Sequence, residues 1–226
     1  MHSLLPSIQI ETGPQPQAAV VWLHGLGADG NDFASLVPEL DLSQCPSIRF
    51  VFPHAPSIPV TINGGYVMPA WSDIRGTDLT TQQDVVGIRH SEQAICALLE
   101  QQMALGIPAS RIVLAGFSQG CAMALHTGLR FPHSLAGVIA LSGYLPLADK
   151  FVTECNSANK KTPIFMGHGS DDPVVIPARG VASRDQLTQL GYAVQWHTYP
   201  MPHSLHPQEI TDISVFLSTV LGRSGL

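Results

Sequence analysis

Gly116 and Gly120 flank Ser118 where a short β-branched run, Ile112-Val113-Leu114, gives way to a stretch rich in Ala, Met and Leu from Gln119 onward. The first part reads as a buried strand and the second as a helix. A chain that turns at once from strand to helix crowds the residues two before and two after the turn. Only a missing Cβ relieves that crowding. The turn pushes the Ser118 hydroxyl out of the sheet and leaves the Gln119 N–H free at a helix N-terminus, where negative charge is favoured. In this setting Gly116-Phe117-Ser118-Gln119-Gly120 is the pattern of a nucleophilic serine. Elsewhere the same pattern would be a plain glycine-rich turn.

The remaining chain alternates strands with helices. Ser7 to Thr12 reads as an edge strand, and Ala18 to Leu23 as a central one, apolar throughout. A Gly-rich loop, His24 to Gly30, leads to a helix expected over Asn31 to Leu40. Ile48 to Phe52 is the next strand. The long irregular segment from Pro53 to about Thr81 contains an Asn-Gly turn between β-formers, so a small hairpin is expected across Val60 to Val67. Apolar residues then recur at helical spacing from about Gln83 to Leu105, stopped by Gly106 and Pro108. After the serine turn, its helix is expected to end near Arg130. Further strands fall at Ala136 to Leu141, Pro163 to Gly167 and Ala193 to Tyr199. Helices run from Pro177 to Leu190 and onward from Pro207. Such alternation means one mostly parallel sheet with helices on both faces, an α/β fold. Ligands of such sheets bind outside the carboxyl ends of the strands.

The chain has 226 residues and a formal charge of −6, which suits a single α/β domain over 1–226. Hydrophobic residues make up 45% and charged residues 12%, the profile of a well-packed soluble protein. The acidic balance and the lack of a basic run argue against nucleic acid. No apolar run approaches the ~20 residues of a membrane span, so no stable membrane insertion is expected. Met-His-Ser-Leu-Leu-Pro at the start lacks the basic residues and long apolar run of a signal peptide. Cys45, Cys96, Cys121 and Cys155 show no C-x-x-C spacing and read as buried thiols in a reducing compartment. A cytoplasmic location is therefore expected.

A serine hydroxyl is a weak nucleophile near neutral pH and needs a base. The base needs an orienting carboxylate, and the developing oxyanion needs donors. The strand ends supply candidates. One strand is followed by His168-Gly169-Ser170-Asp171-Asp172-Pro173, and the last by Pro200-Met201-Pro202-His203-Ser204-Leu205-His206. Ser, Asp, His is the chain order that a nucleophile of this kind requires. Pro173 biases Asp172 toward an extended backbone, which can aim its carboxylate across the strand ends, while Asp171 is placed facing water. His206 rivals His203 but is expected at the cap of the helix begun by Pro207. The His-x-x-His spacing could hold a metal, but two histidines without a nearby cysteine or Glu-bearing helix are weak support, and no metal is expected. His24 and His168 read as structural, bonding backbone groups beneath the site. A backbone N–H from the loop after Leu23 is expected to complete the oxyanion hole.

The motifs Leu23 to Gly30, Pro53 to Pro56, Pro59 to Gly65, Met68 to Ile74, Gly116 to Gly120, His168 to Val175 and Met201 to Ser204 resemble those of the carboxylesterase/acyl-protein thioesterase family of small α/β-hydrolases. They follow the family's order across almost the whole chain. The resemblance implies an α/β-hydrolase fold without a large cap. It implies Ser118, Asp172 and His203 as a triad, favouring Asp172 over Asp171 and His203 over His206. It implies the backbone N–H groups of Leu26 and Gln119 as the oxyanion hole. Cys121 stands where a third glycine is usual, and Pro202 where Gly or Met is usual.

The expected activity is hydrolysis of carboxylic esters or thioesters through an acyl-serine, with no cofactor. The alternatives are a non-catalytic binding protein on the same fold, which the intact triad argues against, and a peptidase, which would need an extra cap or propeller domain. The partner is expected to be a small-molecule ester or thioester, with an acylated protein or lysophospholipid also open, as is a homodimer. A long irregular loop is usually functional. Its apolar side chains Ile62, Met68, Trp71 and Ile74 carry two readings. They pack beneath the loop as ordinary core, or some of them, with Val174, line a slot for neutral acyl chains of short to medium length. On the second reading Trp71→Ala would alter chain-length preference.

Overall fold

The continuous apolar runs become a seven-stranded sheet in the computed structural model, which describes residues 4–79 and 81–222. The start of the chain, read above for a leader, lies at residues 1–3 outside them. In chain order the sheet strands are β1 (Ser7–Glu11), β2 (Ala18–Leu23), β3 (Ile48–Pro53), β6 (Ile112–Phe117), β7 (Gly137–Leu141), β8 (Ile164–Gly169) and β9 (Val194–Tyr199), and they lie side by side as β1-β3-β2-β6-β7-β8-β9. Only β1 runs antiparallel, against β3; every other pairing is parallel. A separate hairpin, β4 (Ser57–Val60) with β5 (Tyr66–Pro69), stands off the main sheet.

β2 shows why such runs are apolar at every position. Ala19, Val21 and Leu23 face one core, with α2 (Val85–Ala104), α3 (Gln119–Gly128) and α5 (Pro177–Gln189). Ala18, Val20 and Trp22 face the other, with α1 (Asn31–Ala34) and α6 (Pro207–Leu221). Alternate side chains point to opposite faces, and both faces are covered. The chain leaves β2 for β3 on one side, and β6 flanks β2 on the other. The strand order therefore reverses between β2 and β6, the place where open α/β sheets bind ligands. The loop carrying Leu26 follows β2, and Ser118 follows β6.

Most elements fall where the sequence places them, with three departures. The helix expected over Asn31 to Leu40 is one α-helical turn, Asn31–Ala34, followed by a 3₁₀ turn, Val37–Glu39. Pro38 lacks the N–H that an uninterrupted helix would need there. The hairpin register also differs, because Thr61–Asn63 forms a 3₁₀ turn closed by Gly64 in the left-handed region, pushing the second strand to Tyr66–Pro69. Finally, α4 (Phe151–Glu154) has no sequence counterpart. It is held by long-range charge pairing: Glu154 meets Arg89 of α2 and, at 2.9 Å, Arg130 just beyond α3.

The strand-to-helix turn leaves no room for side chains at its glycines. A Cβ on Gly116 would fall inside the Gly120 carbonyl, and one on Gly120 would strike the Leu23 and His24 carbonyls. These obstacles are backbone, so they cannot rotate away. Gly116→Ala should therefore destabilise the protein by about 2 kcal/mol or more, in the range of overpacked interiors. Urea unfolding of the variant beside the wild type measures this, and an unchanged midpoint would contradict the steric reading.

Candidate active site

Ser118 occupies the tip of the β6–α3 turn with φ +56° and ψ −118°. This backbone region is sparsely populated by residues with a Cβ and persists only where the surroundings enforce it. The enforcement is visible. The Ser118 N–H donates to the Leu141 carbonyl at 2.9 Å, and its own carbonyl accepts from Ala122. Held this way, the Ser118 Oγ lies 2.8 Å from His203 Nε2, and His203 Nδ1 lies 2.7 Å from Asp172 Oδ2. An ionised carboxylate can only accept hydrogen bonds. His203 Nδ1 must therefore donate to Asp172, which leaves Nε2 as acceptor for the serine hydroxyl. The other Asp172 oxygen accepts from the Val174 and Val175 N–H groups at 2.8 and 2.9 Å. Asp172 is buried, and the Phe117 ring packs 4.7 Å from the imidazole. This chain of contacts can pass a proton from Ser118 to His203 without moving any backbone.

The rivals lie apart. Asp171 is exposed and accepts from Ser170. His206 caps α6, its Nδ1 accepting the Gln208 N–H at 3.1 Å. His24 and His168 lie beneath the site. His24 donates to the Gly25 carbonyl and accepts from Ala55, while His168 bonds the Val175 carbonyl at 2.7 Å. Burial lowers the pKa of both imidazoles below the ordinary value, favouring the neutral ring each network uses. Among the described residues no group of three His, Cys, Asp or Glu side chains is placed to hold a metal ion.

The backbone N–H groups of Leu26 and Gln119 donate to no other backbone carbonyl among the described residues. Leu26 and Gln119 border the same cleft as Ser118. The Gln119 side chain has a task the sequence did not reveal. Its Oε1 accepts the Trp71 N–H at 2.9 Å, and its Nε2 donates to the Ser72 carbonyl at 2.7 Å. One residue thus pins the long loop against the serine turn. Of the sequence departures, Cys121 fits because Gly143 has no Cβ to collide with its sulfur, and burial pushes its thiol pKa up, so it stays protonated. Pro202 is exposed, and its carbonyl accepts the Ser204 N–H at 2.9 Å.

The cleft holds about 600 Å³. Ile62, Ile74 and Val174 line it. Trp71 and Met68 do not, and for them the slot reading is corrected. Trp71 is 1% exposed within the main core, its Nε1 donating to the His24 carbonyl at 2.9 Å while its own carbonyl accepts from Ser91. Met68 is half-buried, its sulfur accepting from Asn63 and lying near Gly27. A loop without periodicity gives no sign of which apolar residues point down. The walls also include Leu79, Tyr144 and Ile176, which sequence reasoning missed. Tyr144 follows the end of β7 and Ile176 the Asp172 turn, so the strand-end rule could have found both. A similar volume of about 610 Å³ opens between the Thr12–Gln17 and Leu42–Ser47 loops. It lies at the amino ends of β2 and β3 and carries no acid or base.

Residues 6–221 match the model of the phospholipase/carboxylesterase family. The chain belongs to that family. Acyl-protein thioesterase 1 of Neurospora crassa is 42% identical over 222 residues, covering 94% of this chain and 91% of that protein. The Yarrowia lipolytica protein of the same name is 38% identical, covering 92% and 94%. The crystal structure of Zea mays acyl-protein thioesterase 2 superposes with a TM-score of 0.84 at 29% identity, covering 96% of this chain and 99% of that one. This family member has the α/β-hydrolase fold without a large cap, and it is a serine hydrolase acting on esters or thioesters. None of its described helices is long and apolar enough to cross a membrane.

Two outcomes follow from this anatomy. Trp71→Ala should cost about 3–5 kcal/mol of stability and lower hydrolysis alike for every acyl length that still reacts. A selective shift in chain-length preference with an unchanged melting temperature would return Trp71 to the slot. The second concerns Glu209, at the third position of α6. It is fully buried over Gly167, and neither carboxyl oxygen has a well-formed hydrogen bond. Burial raises its pKa from 4.5 to about 8, partly offset by the His206 N–H. Between these values the folded protein must hold a proton that the unfolded chain has released. Stability therefore falls as pH rises from 4.5 to about 8. Glu209→Gln should remove this slope, so its melting temperature should gain on the wild type as pH rises. Parallel curves would show that the group does not titrate in this range.

Proposed function

We propose that the chain works as one α/β-hydrolase domain in which Ser118 is the nucleophile, His203 the general base and acid, and Asp172 its orienting carboxylate. Leu26 and Gln119 are read as the oxyanion donors. As the Ser118 Oγ attacks the acyl carbon, His203 Nε2 takes its proton. The carbonyl oxygen gains negative charge, which the two backbone N–H groups stabilise. The tetrahedral intermediate then expels alcohol or thiol, protonated by His203. Water, deprotonated in turn by His203, attacks the acyl-serine, and the carboxylic acid departs. The protein groups suffice for every step. The observation that carries this reading is the pair of 2.8 and 2.7 Å contacts joining Ser118, His203 and Asp172 at the edge of an apolar cleft.

The acyl group is read as neutral and of short to medium length. Ile62, Ile74, Val174 and Leu79 offer it apolar contact, and among the described residues the one Lys or Arg in the wall, Arg179, is paired with Asp78 at 3.3 Å. An anionic acyl group would lose its hydration there without gaining an unpaired cation. The names of the relatives favour acyl groups carried on proteins, and a lysophospholipid offers the same ester chemistry. A cytoplasmic setting is part of this reading, supported by four free cysteines.

Ser118→Ala should lower kcat on a chromogenic ester by on the order of 10⁶, as serine-hydrolase knockouts do. Asp172→Asn should cost roughly 10⁴ by stabilising the wrong histidine tautomer, whereas Asp171→Asn should change little. His203→Ala should abolish turnover and His206→Ala should not. Full activity in Ser118→Ala, or a reversed ranking within either pair, would overturn the assignments.

A further inference from the structure

His203 borders two clefts. Beside the one of about 600 Å³ described above, a second of about 390 Å³ opens between α1 and the His203 loop. The clefts share three residues, Asp32, Phe117 and His203, which form the ridge between them. Ser118 and both N–H donors border only the larger cleft, while the smaller continues past His203 along Ser204, Leu205 and Ile210. The reaction gives this arrangement a meaning. The acyl chain and the leaving group are two substituents of one tetrahedral carbon and must diverge. The leaving oxygen or sulfur has to meet the proton on His203 Nε2 as its bond to carbon breaks. A leaving group that passes the imidazole enters the smaller cleft.

Charge is spread unevenly. Among the described residues the larger cleft is lined mainly by apolar side chains, and its Arg179 is already paired with Asp78. The shared ridge carries Asp32, and the smaller cleft adds a second carboxylate, Glu39, with no described Lys or Arg in its wall. Among the described residues neither is ion-paired. Asp32 is partly desolvated, which raises its pKa; nearby His24 acts in the opposite direction, and Asp29 adds like charge. An arriving cation would ease the desolvation and the like-charge repulsion.

Resting on the hydrolase reading above, we propose that the cleft along Asp32, Glu39 and Leu205 is a leaving-group subsite, selective for alcohols or thiols that carry a positive charge close to the scissile bond. Leu36, Leu205 and Ile210 give the leaving group's carbon chain an apolar wall, and the carboxylates stand at the rim. A quaternary ammonium head and a basic peptide flank share this chemistry.

Matched substrates with one acyl group test the proposal. One pair sets the choline ester against the 3,3-dimethylbutyl ester, its uncharged carbon isostere. The other sets an S-acylated cysteine peptide flanked by lysine against one flanked by glutamate. In at least one pair the cationic member should show about three- to tenfold higher kcat/KM at low salt, the advantage shrinking as salt screens it. Asp32→Asn and Glu39→Gln should each reduce that ratio. A preference in the first pair assigns small quaternary alcohols, and one in the second assigns proteins; either supports the subsite. Ratios of one in both pairs overturn it, as do ratios that neither variant changes. Hydrolysis of the neutral ester separates the two readings. Its presence with a ratio of one defeats the subsite alone, and its absence defeats the hydrolase assignment as well.

Discussion

The approach of two backbones at the β6–α3 turn sets the terms for everything above it. Gly116 lies against the Gly120 carbonyl, and Gly120 against the end of β2, with no space for a Cβ at either place. This contact lets a helix start immediately beside the strand that feeds it. It forces Ser118 into a left-handed backbone conformation and brings the β2 loop alongside the serine. The placement of Ser118, the Gln119 N–H and the Leu26 loop is therefore the product of one packing solution. The strain at Ser118 costs on the order of 1–3 kcal/mol and is offset by the two cores on either side of the sheet.

The remaining parts arrive on separate strands. Asp172 follows β8 and His203 follows β9, so the parallel pairing of these strands fixes the distance between their loops. Buried polar groups beneath them keep that geometry stiff. His168 ties the β8 end to the Val175 carbonyl, and Asp172 itself closes the turn by accepting from Val174 and Val175. The carboxylate thus serves the loop and the imidazole at once, with one oxygen for each.

Strands and the meeting of Ser118, His203 and Asp172 were legible because both are written in short-range code. A six-residue apolar run such as Ala18 to Leu23 has few ways to be satisfied, and Gly-x-Ser-x-Gly has one steric rationale after a strand. Helix ends were also readable where Pro and Gly mark them, as at Pro177, Gly191 and Pro207. Legibility failed where tertiary contacts decide. The short helix at Phe151 depends on Arg89 and Arg130, far away in sequence. Trp71 and Ile74 sit three residues apart in one loop, yet one is core and the other cleft wall. The hydrogen bonds that Trp71 donates to the Gln119 side chain and to the His24 carbonyl, with the one it accepts from Ser91, fix which side faces down.

The Gln119 side chain anchors the inner end of the loop, while its outer end turns side chains toward the rim of the cleft. Trp71 and Ser72 are moored to the serine turn, so any change there disturbs the reacting groups. Ile62 is 40% exposed and Val174 62% exposed, and both touch the cleft from rims that carry little of the core. Replacing them reshapes the mouth of the cleft while leaving the Gln119 mooring intact. The cleft in effect joins a fixed floor to an exchangeable rim.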